Sequence, residues 1–311
     1  MVMNTPAALA HGTELLGSAE PAERAAGCRL VGEAADRDED LRAEAATVLL
    51  AHAERERDGQ VLACLAGALG RTEDGRAVPV LVTLAGHPEA EVRRQVASGL
   101  SLDAVVTGPP DAPGVRALLA LTRDTDPETR DWATFTLGFQ CAADGPDVRQ
   151  ALWERTGDEY PDAREEGIRG LARRRDPRAV PLMRELLADP DGAAVLTFRA
   201  AEILGAPELL PLLEDYDPDD HGVADAVAAC EPSRRARLEE GAWALVRALE
   251  RQRPDLAAAV WSTRCEPGLT LGIGGPDEPV YDVAGLLGRA GGDPVRAAEL
   301  VGSDHPVIVH P

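Results

Sequence analysis

Apolar and polar residues follow one pattern along the chain that returns every 31 to 38 residues. Each copy holds an apolar residue, an arginine, two variable residues, a small residue, three further residues and a closing Leu-Gly or similar pair. The clearest copies lie at residues 92–100, 129–138 and 163–171, and weaker ones lie at 24–32, 62–70 and 197–205. Because their apolar positions have helical spacing, each copy predicts an amphipathic helix.

A second apolar run separates successive copies, as at residues 77–84, 115–121 and 179–187. The breaks carry proline, in His87-Pro88, Asp126-Pro127, Tyr160-Pro161 and Asp189-Pro190. Aspartate before proline suits a helix start. The aspartate side chain caps a free backbone N–H, and proline has no N–H that would be left without a partner there. The sequence therefore predicts a repeated pair of helices of about 35 residues. Neighbouring pairs must stack, because one pair alone buries too little apolar surface.

This unit resembles the HEAT repeat, in particular the short bacterial form of the phycobilisome-lyase type. The resemblance rests on residues 126–133 with Leu137 and Gly138, and on residues 176–182. It implies an all-α fold, a right-handed α-solenoid of stacked antiparallel helix pairs. We expect a HEAT-like array of about six repeats over residues 1–230, and a C-terminal helical cap with a Gly/Pro-rich irregular tail over residues 231–311.

Within the C-terminal part, residues 234–252 predict one long amphipathic helix, which Pro254 ends. We expect a shorter helix to follow through Trp261, and two more short helices at residues 282–289 and 293–301. Repeat arrays need a cap on their last apolar face, and this part supplies one. A separate functional role for residues 266–311 remains the alternative.

The chain carries 32 basic and 54 acidic residues, a net charge of −22, and every basic residue is arginine. This composition is typical of a GC-rich bacterial genome and looks actinobacterial. Nucleic-acid binding starts with cations that neutralise phosphates, so the charge argues against DNA or RNA as a partner. With five scattered cysteines, no leader peptide and no apolar run of about 18 residues, we expect a cytoplasmic protein that does not bind a membrane.

No residue constellation predicts a catalytic centre, a metal site or a cofactor. The glycines of residues 272–276 lack the Gly-Lys-Ser/Thr sequence of a phosphate loop, and predict an ordinary loop. The acidic run at 215–220 lacks the glycine and glutamate of a calcium loop. His305 and His310 match no common zinc spacing. The repeated arginines Arg24, Arg93, Arg130 and Arg164 predict a structural ladder instead, each reaching carbonyls of its own turn and a carboxylate of the next repeat.

An aromatic row is the strongest candidate for a binding site. Trp132, Phe135 and Phe139 share one helical face, rotated away from the core row of Thr129, Ala133 and Leu137. The equivalent positions in other copies are mostly polar: Gln95, Ser98 and Leu102; Glu166, Arg169 and Arg173; Arg199 and Glu202. We therefore expect an aromatic strip on a concave surface beside Arg169 and Arg173, with residues 173–175 and Arg178 extending a positive patch. The alternative is that these aromatic side chains pack into the core.

These features favour a non-catalytic scaffold that binds a protein or peptide on its concave face. The alternative is an enzyme, because HEAT-like arrays also occur in bilin lyases and in bacterial alkylpurine DNA glycosylases. A glycosylase needs aromatic residues and a carboxylate near the extruded base, which Asp131 and Trp132 offer, and also a basic groove, which the net charge opposes. A third possibility is that the acidic exterior attracts a cationic partner, or it serves solubility alone. Oligomeric state and partner identity stay open.

Overall fold

The structure is a computed structural model that describes residues 4–190, 192–261, 269–274 and 280–304. Helices make up most of it: α1 Thr5–Leu15, α2 Pro21–Arg37, α3 Arg42–Ala53, α4 Gly59–Gly70, α5 Val78–Leu84, α6 Ala90–Gly99, α7 Asp103–Val106, α8 Pro113–Leu121, α9 Pro127–Phe135, α10 Pro146–Arg155, α11 Pro161–Arg173, α12 Ala179–Leu187, α13 Val195–Leu204, α14 Leu210–Leu213, α15 Val223–Cys230, α16 Pro232–Gln252, α17 Val283–Arg289 and α18 Pro294–Asp304. The six closing positions of the sequence pattern, from Val31 to Leu204, are all buried. The repeating helix pairs are thus confirmed.

The chain divides into two compact units, Met1–Arg174 and Arg175–Pro311. In the first unit, α2, α4, α6, α9 and α11 form one row in which each helix contacts the next. A second row consists of α3, α5, α8 and α10, and each of these packs on a helix of the first row. Neighbours in the first row are packed more closely than neighbours in the second. The first row is therefore the concave side of the stack, and we call it the inner row.

Glycines near the ends of the inner helices permit this close packing. A Cβ atom on Gly70 of α4 would lie 2.6 Å from the Cα atom of Gly99 in α6. A Cβ atom on Gly170 of α11 would lie 2.9 Å from the Cα atom of Gly138. Real side chains do not reach such distances from a backbone atom, so the closing glycine of the repeat sets the spacing of the inner row.

The predicted arginine ladder is present for three of its four members among the described residues. Three of its members donate two hydrogen bonds each to a carboxylate of the next repeat: Arg24 to Glu56 (2.7 and 3.1 Å), Arg93 to Asp124 (2.6 and 2.7 Å) and Arg130 to Asp158 (2.8 and 2.8 Å). Each of the four arginines also donates to carbonyls of the turn before its own helix, as Arg164 does to the Asp158 carbonyl at 3.2 Å. We call each arginine–carboxylate pair a rung.

The acceptor carboxylate of a rung also fixes the turn that leads into the next inner helix. Asp158 Oδ1 accepts the backbone N–H of Tyr160 at 2.9 Å, and Asp124 Oδ1 accepts that of Asp126 at 2.9 Å. Asp126 then caps α9 by accepting the N–H of Thr129 at 2.8 Å, which confirms the predicted Asp-Pro helix start. Each rung thereby joins one inner helix to the start of the following one.

The second unit begins with further helix contacts, α12 with α13 and α13 with α15. Beyond them, α16, α17, α18 and a small sheet enclose a separate apolar core that includes Leu245, Leu249, Leu271, Leu286 and Val301. The long helix predicted at 234–252 is confirmed as α16, and the two short helices are confirmed as α17 and α18. The predicted domain boundary after residue 230 and the right-handed sense of the solenoid stay predictions.

The helix predicted to run through Trp261 is wrong. That segment is a strand, β1 Ala258–Trp261, in an antiparallel sheet with β2 Thr270–Ile273 and β3 Val280–Asp282 in the order β1-β2-β3. Ala258 pairs with Ile273, and Leu271 pairs with Tyr281. Gly272 and Ile273, predicted to begin a loop, lie in β2, whereas Pro276, His305 and His310 lie outside the described residues.

No disulfide is formed among the described cysteines. Cys28, Cys141 and Cys230 are buried, and Cys64 is partly exposed. Burial raises the pKa of Cys28 to about 12, and that of Cys141 and Cys230 to about 11. The three buried thiols therefore stay protonated at neutral pH and pack as small apolar side chains. None of the helices in the described part is long and apolar enough to cross a membrane.

Candidate protein-binding site

Helix α9 does not end in a regular turn. It passes into a π-helical turn at Thr136–Gln140, and the chain then becomes extended at Cys141. Such a widened turn leaves carbonyl groups pointing away from the usual ladder. The guanidinium group of Arg174 binds them, donating to the carbonyl oxygens of Leu137 (2.8 Å), Gly138 (2.8 Å) and Cys141 (3.1 Å) among others. Arg174 thus holds the end of α9 against the end of α11.

The three predicted aromatic residues touch one another on α9 and its π-helical turn. The rings of Trp132 and Phe135 meet edge to face, with centroids 5.9 Å apart at 88°. The rings of Phe135 and Phe139 are stacked, 5.6 Å apart at 20°. Trp132 is 41% exposed, and the two phenylalanines are half-buried. The row therefore presents one accessible indole on a base of partly covered rings.

The two predicted arginines of α11 pack against the aromatic row from its buried side. The guanidinium carbon of Arg169 lies 4.7 Å from the ring centre of Phe139, and that of Arg173 lies 5.5 Å from it. Both distances are within the range of cation–π attraction. We call these five residues the aromatic–arginine cluster: Trp132, Phe135, Phe139, Arg169 and Arg173. The structure brings all of them together, and whether they bind a partner stays a prediction.

Carboxyl groups border the aromatic–arginine cluster. Glu166 pairs with Arg169 at 2.7 Å, but its Oε2 atom is buried without a hydrogen bond among the described residues. Burial raises the pKa of Glu166, against the lowering effect of Arg169. Asp131, next to Trp132, has its pKa raised to about 6 by burial and then by the charges of Asp162 and Glu166. Asp131 consequently gains its negative charge as the pH rises through about 6.

The positive patch predicted around residues 173–175 and Arg178 is smaller than expected. Arg173 and Arg174 are only 5% and 6% exposed. Their guanidinium groups serve backbone carbonyls at the end of α9, and Arg173 donates to that of Gly138 at 3.2 Å. Arg178 binds the Asp176 carboxylate at 2.8 Å. Leu102, taken as an equivalent of Phe139, is fully buried and does not belong to the exposed face.

A pocket on the inner row was missed at the sequence level. It has a volume of about 340 Å³ and lies between α2, α4 and α6. Its lining includes Arg29, Cys64, Gly67, Arg71 and Gln95. Aligned on the closing positions Leu69 and Leu137, Cys64, Gly67 and Arg71 take the places of Trp132, Phe135 and Phe139. That alignment places the pocket and the aromatic row on the same face of the inner row. The small residues Cys64 and Gly67 at these positions are the feature of the sequence that could have indicated the pocket.

Residues 115–205 match the HEAT repeats family, over the copies that contain the aromatic–arginine cluster. This segment consists of HEAT repeats, and the chain has a HEAT-like fold. YibA of E. coli has a similar structure, with a TM-score of 0.56 and 21% identity over 72% of this chain and 81% of that chain. At that identity the likeness shows the fold alone.

Two further solved structures align with lower scores. The complex of CpcE and CpcF of phycocyanin lyase from Nostoc sp. has a TM-score of 0.47 and 16% identity, over 85% of this chain and 92% of that chain. An engineered protein has a TM-score of 0.42 and 19% identity, over 73% of this chain and 96% of that chain. No curated protein matches the chain at a significant level.

Proposed function

We propose that this HEAT-like repeat protein is a non-catalytic, cytoplasmic scaffold that binds a protein or peptide through the concave face of its inner row. The observation that carries the proposal is the aromatic–arginine cluster. Residues that contribute most of the binding energy of protein interfaces are often tryptophan, tyrosine and arginine, and this cluster combines an exposed tryptophan with arginines. A tryptophan 41% exposed on the concave side of a helix stack buries further apolar surface when a peptide covers it.

The geometry of the cluster suits an apolar side chain of the partner. Because Phe135 and Phe139 are stacked and Arg169 covers one side of Phe139, the rings are held in place before binding. A preformed surface loses little conformational entropy when it is occupied, which favours affinity. The inner row also supplies neighbouring polar positions, such as Gln95 and Ser98, for contacts to an extended backbone.

The test is a selection of peptides from a random displayed library on the full-length protein, followed by fluorescence anisotropy with the enriched peptides. Trp132→Ala should weaken binding by thirtyfold or more, since truncation of such a residue costs about 2 kcal/mol. Trp243→Ala is the matched control, because Trp243 is 56% exposed on α16 of the other unit. Arg169→Ala should also weaken binding.

Equal binding by the Trp132→Ala and Trp243→Ala variants would show that the aromatic–arginine cluster is not the binding face. A library that yields no peptide above the background of an unrelated acidic protein would count against peptide binding altogether.

A second candidate, an enzyme that acts on a base in DNA, has one observation in its favour. Asp131 lies beside the exposed Trp132, and its pKa of about 6 suits proton transfer near neutral pH. The net charge of −22 opposes the required contact with phosphates. Retention on DNA-cellulose at physiological salt separates the two candidates.

A further inference from the structure

The lining of the pocket between α2, α4 and α6 combines small residues with two arginines. Gly67 lacks a side chain, and Cys64 and Ala63 are small, so the pocket opens where the aromatic rings of the α9 copy would stand. Arg29 of α2 donates to the Cys64 thiol at 3.1 Å from one side. Arg71, the residue after α4, lines the same pocket.

The charges of this pocket favour an anionic group. Neither Arg29 nor Arg71 forms an ion pair with any residue in the part of the chain that the structure describes. Glu91 also lines the pocket, but its carboxylate is engaged by Arg94 and by the amide of Gln95 at 3.1 Å. In a chain with 54 acidic residues, two arginines without a carboxylate partner in one pocket leave a positive site.

We propose that this pocket binds an acidic side chain of the peptide that occupies the inner row, so that Arg29 and Arg71 hold its carboxylate. The inference rests on the proposed function and specifies the partner: a peptide with an acidic residue for the pocket and an apolar residue for the aromatic–arginine cluster. Arginine binds carboxylates through charge-assisted hydrogen bonds, often two at once, and the amide of Gln60 at the same pocket adds a neutral donor.

The size of the pocket favours a single side chain as the occupant. A volume of about 340 Å³ is at the lower end of the range of small-ligand pockets, and it holds a glutamate side chain with its hydration. The pocket is centred on α4, and the aromatic row lies two helices further along the inner row. Adjacent packed helices are about 8–10 Å apart, so the two subsites are roughly 20 Å apart. An extended peptide covers this distance with about six residues.

The test uses the enriched peptides and the full-length protein. The double variant Arg29→Gln/Arg71→Gln should bind them at least tenfold more weakly, and replacement of the acidic peptide residue by glutamine should weaken binding to the wild type by the same factor. That peptide change should have no further effect on the double variant, because the two changes remove one interaction. Arg116→Gln is the control for each single change: it removes one positive charge, as Arg29→Gln or Arg71→Gln alone does, from an exposed position on α8 of the second row.

The outcomes distinguish this inference from the proposed function. Peptides that lose affinity on Trp132→Ala but keep it on Arg29→Gln/Arg71→Gln would overturn the acidic subsite and leave the binding face intact. Peptides insensitive to both changes would overturn both. Enriched sequences with an acidic residue roughly six positions from an apolar one would support the inference, whereas sequences without acidic enrichment would contradict it.

Discussion

A single carboxylate, that of Asp158, connects three parts of the first unit. Asp158 accepts two hydrogen bonds from Arg130, a further one from Arg155 at 2.6 Å, and the N–H of Tyr160. Its side chain is only 2% exposed. The Arg130 hydrogen bonds lower the pKa of Asp158 to about 2, against the raising effect of burial. Since its pKa is depressed in the folded state, the charged form of Asp158 stabilises the fold above its ordinary pKa.

Asp158→Asn should therefore lower the free energy of unfolding at neutral pH, and this difference should shrink as the pH falls. The stabilisation by Asp158 is fully present above its ordinary pKa of 3.8 and is lost as the pH falls toward about 2. Denaturant titrations at a series of pH values measure the effect. Glu159→Gln, at the exposed neighbouring position, is the control and should follow the wild type. A constant difference between Asp158→Asn and wild type across this range would contradict the ionised rung.

The residue scale also shows what the sequence could and could not predict. The aromatic row and the arginine ladder were predictable, because the repeat supplies equivalent positions for comparison. The different fates of Arg174 and Arg175 were not. Arg174 is buried against carbonyls of an irregular turn, and burial lowers its pKa to about 10, whereas Arg175 is exposed. The amino-acid sequence does not show which carbonyl groups a π-helical turn leaves available for hydrogen bonds.

At the scale of helices, the spacing of the inner row depends on contacts between backbones. Gly70 and Gly99 meet with no side chain between them, so α4 and α6 approach more closely than helices separated by leucines. The same arrangement recurs at Gly138 and Gly170. The position of each inner helix is therefore fixed at two places, by a glycine contact near its end and by a rung near its start.

Gly70→Ala should destabilise the first unit, because the added Cβ atom would lie 2.6 Å from the Gly99 Cα atom. Forcing an extra methyl group into a close-packed contact costs about 1–3 kcal/mol, which a shift of the denaturant midpoint reports. Gly86→Ala serves as the control, since a Cβ atom there meets nothing within 4 Å. A neutral or stabilising Gly70→Ala would mean that the inner row does not depend on this contact.

Helices were more predictable than strands for a physical reason. Helical spacing is a local signal, and the segments that became α5, α8, α12 and α16 all carry it. The strand at Ala258–Trp261 forms by pairing with residues 270–273, and that pairing is not visible in the four residues themselves. Its Ala-Ala-Val-Trp sequence fits a helix equally well until the partner strand is known.

At the scale of the whole molecule, charge limits the choice of partner more than the fold does. The 54 acidic residues against 32 arginines give the chain a field that repels polyanions, while the HEAT-like architecture is compatible with many kinds of partner. Several arginines are also engaged by rungs or by carbonyls, so the positive charge available at the surface is smaller than the count suggests. This charge distribution fits the proposed recognition of a short peptide segment.

The intact protein should pass through DNA-cellulose at physiological salt, because its net charge of −22 opposes contact with DNA phosphates. Chromatography beside a basic protein of similar mass checks this expectation. Retention that weakens steeply with added salt would instead support the enzyme candidate and direct attention to Asp131.

The glycine contacts of the inner row have a mechanical consequence. Backbones of the inner row that already touch cannot move closer together. The helices of the second row are packed less closely, so they can move apart and together. Bending of the first unit would then leave distances along its concave edge almost unchanged. A ligand bound to that edge at two points would therefore keep both contacts while the second row moves.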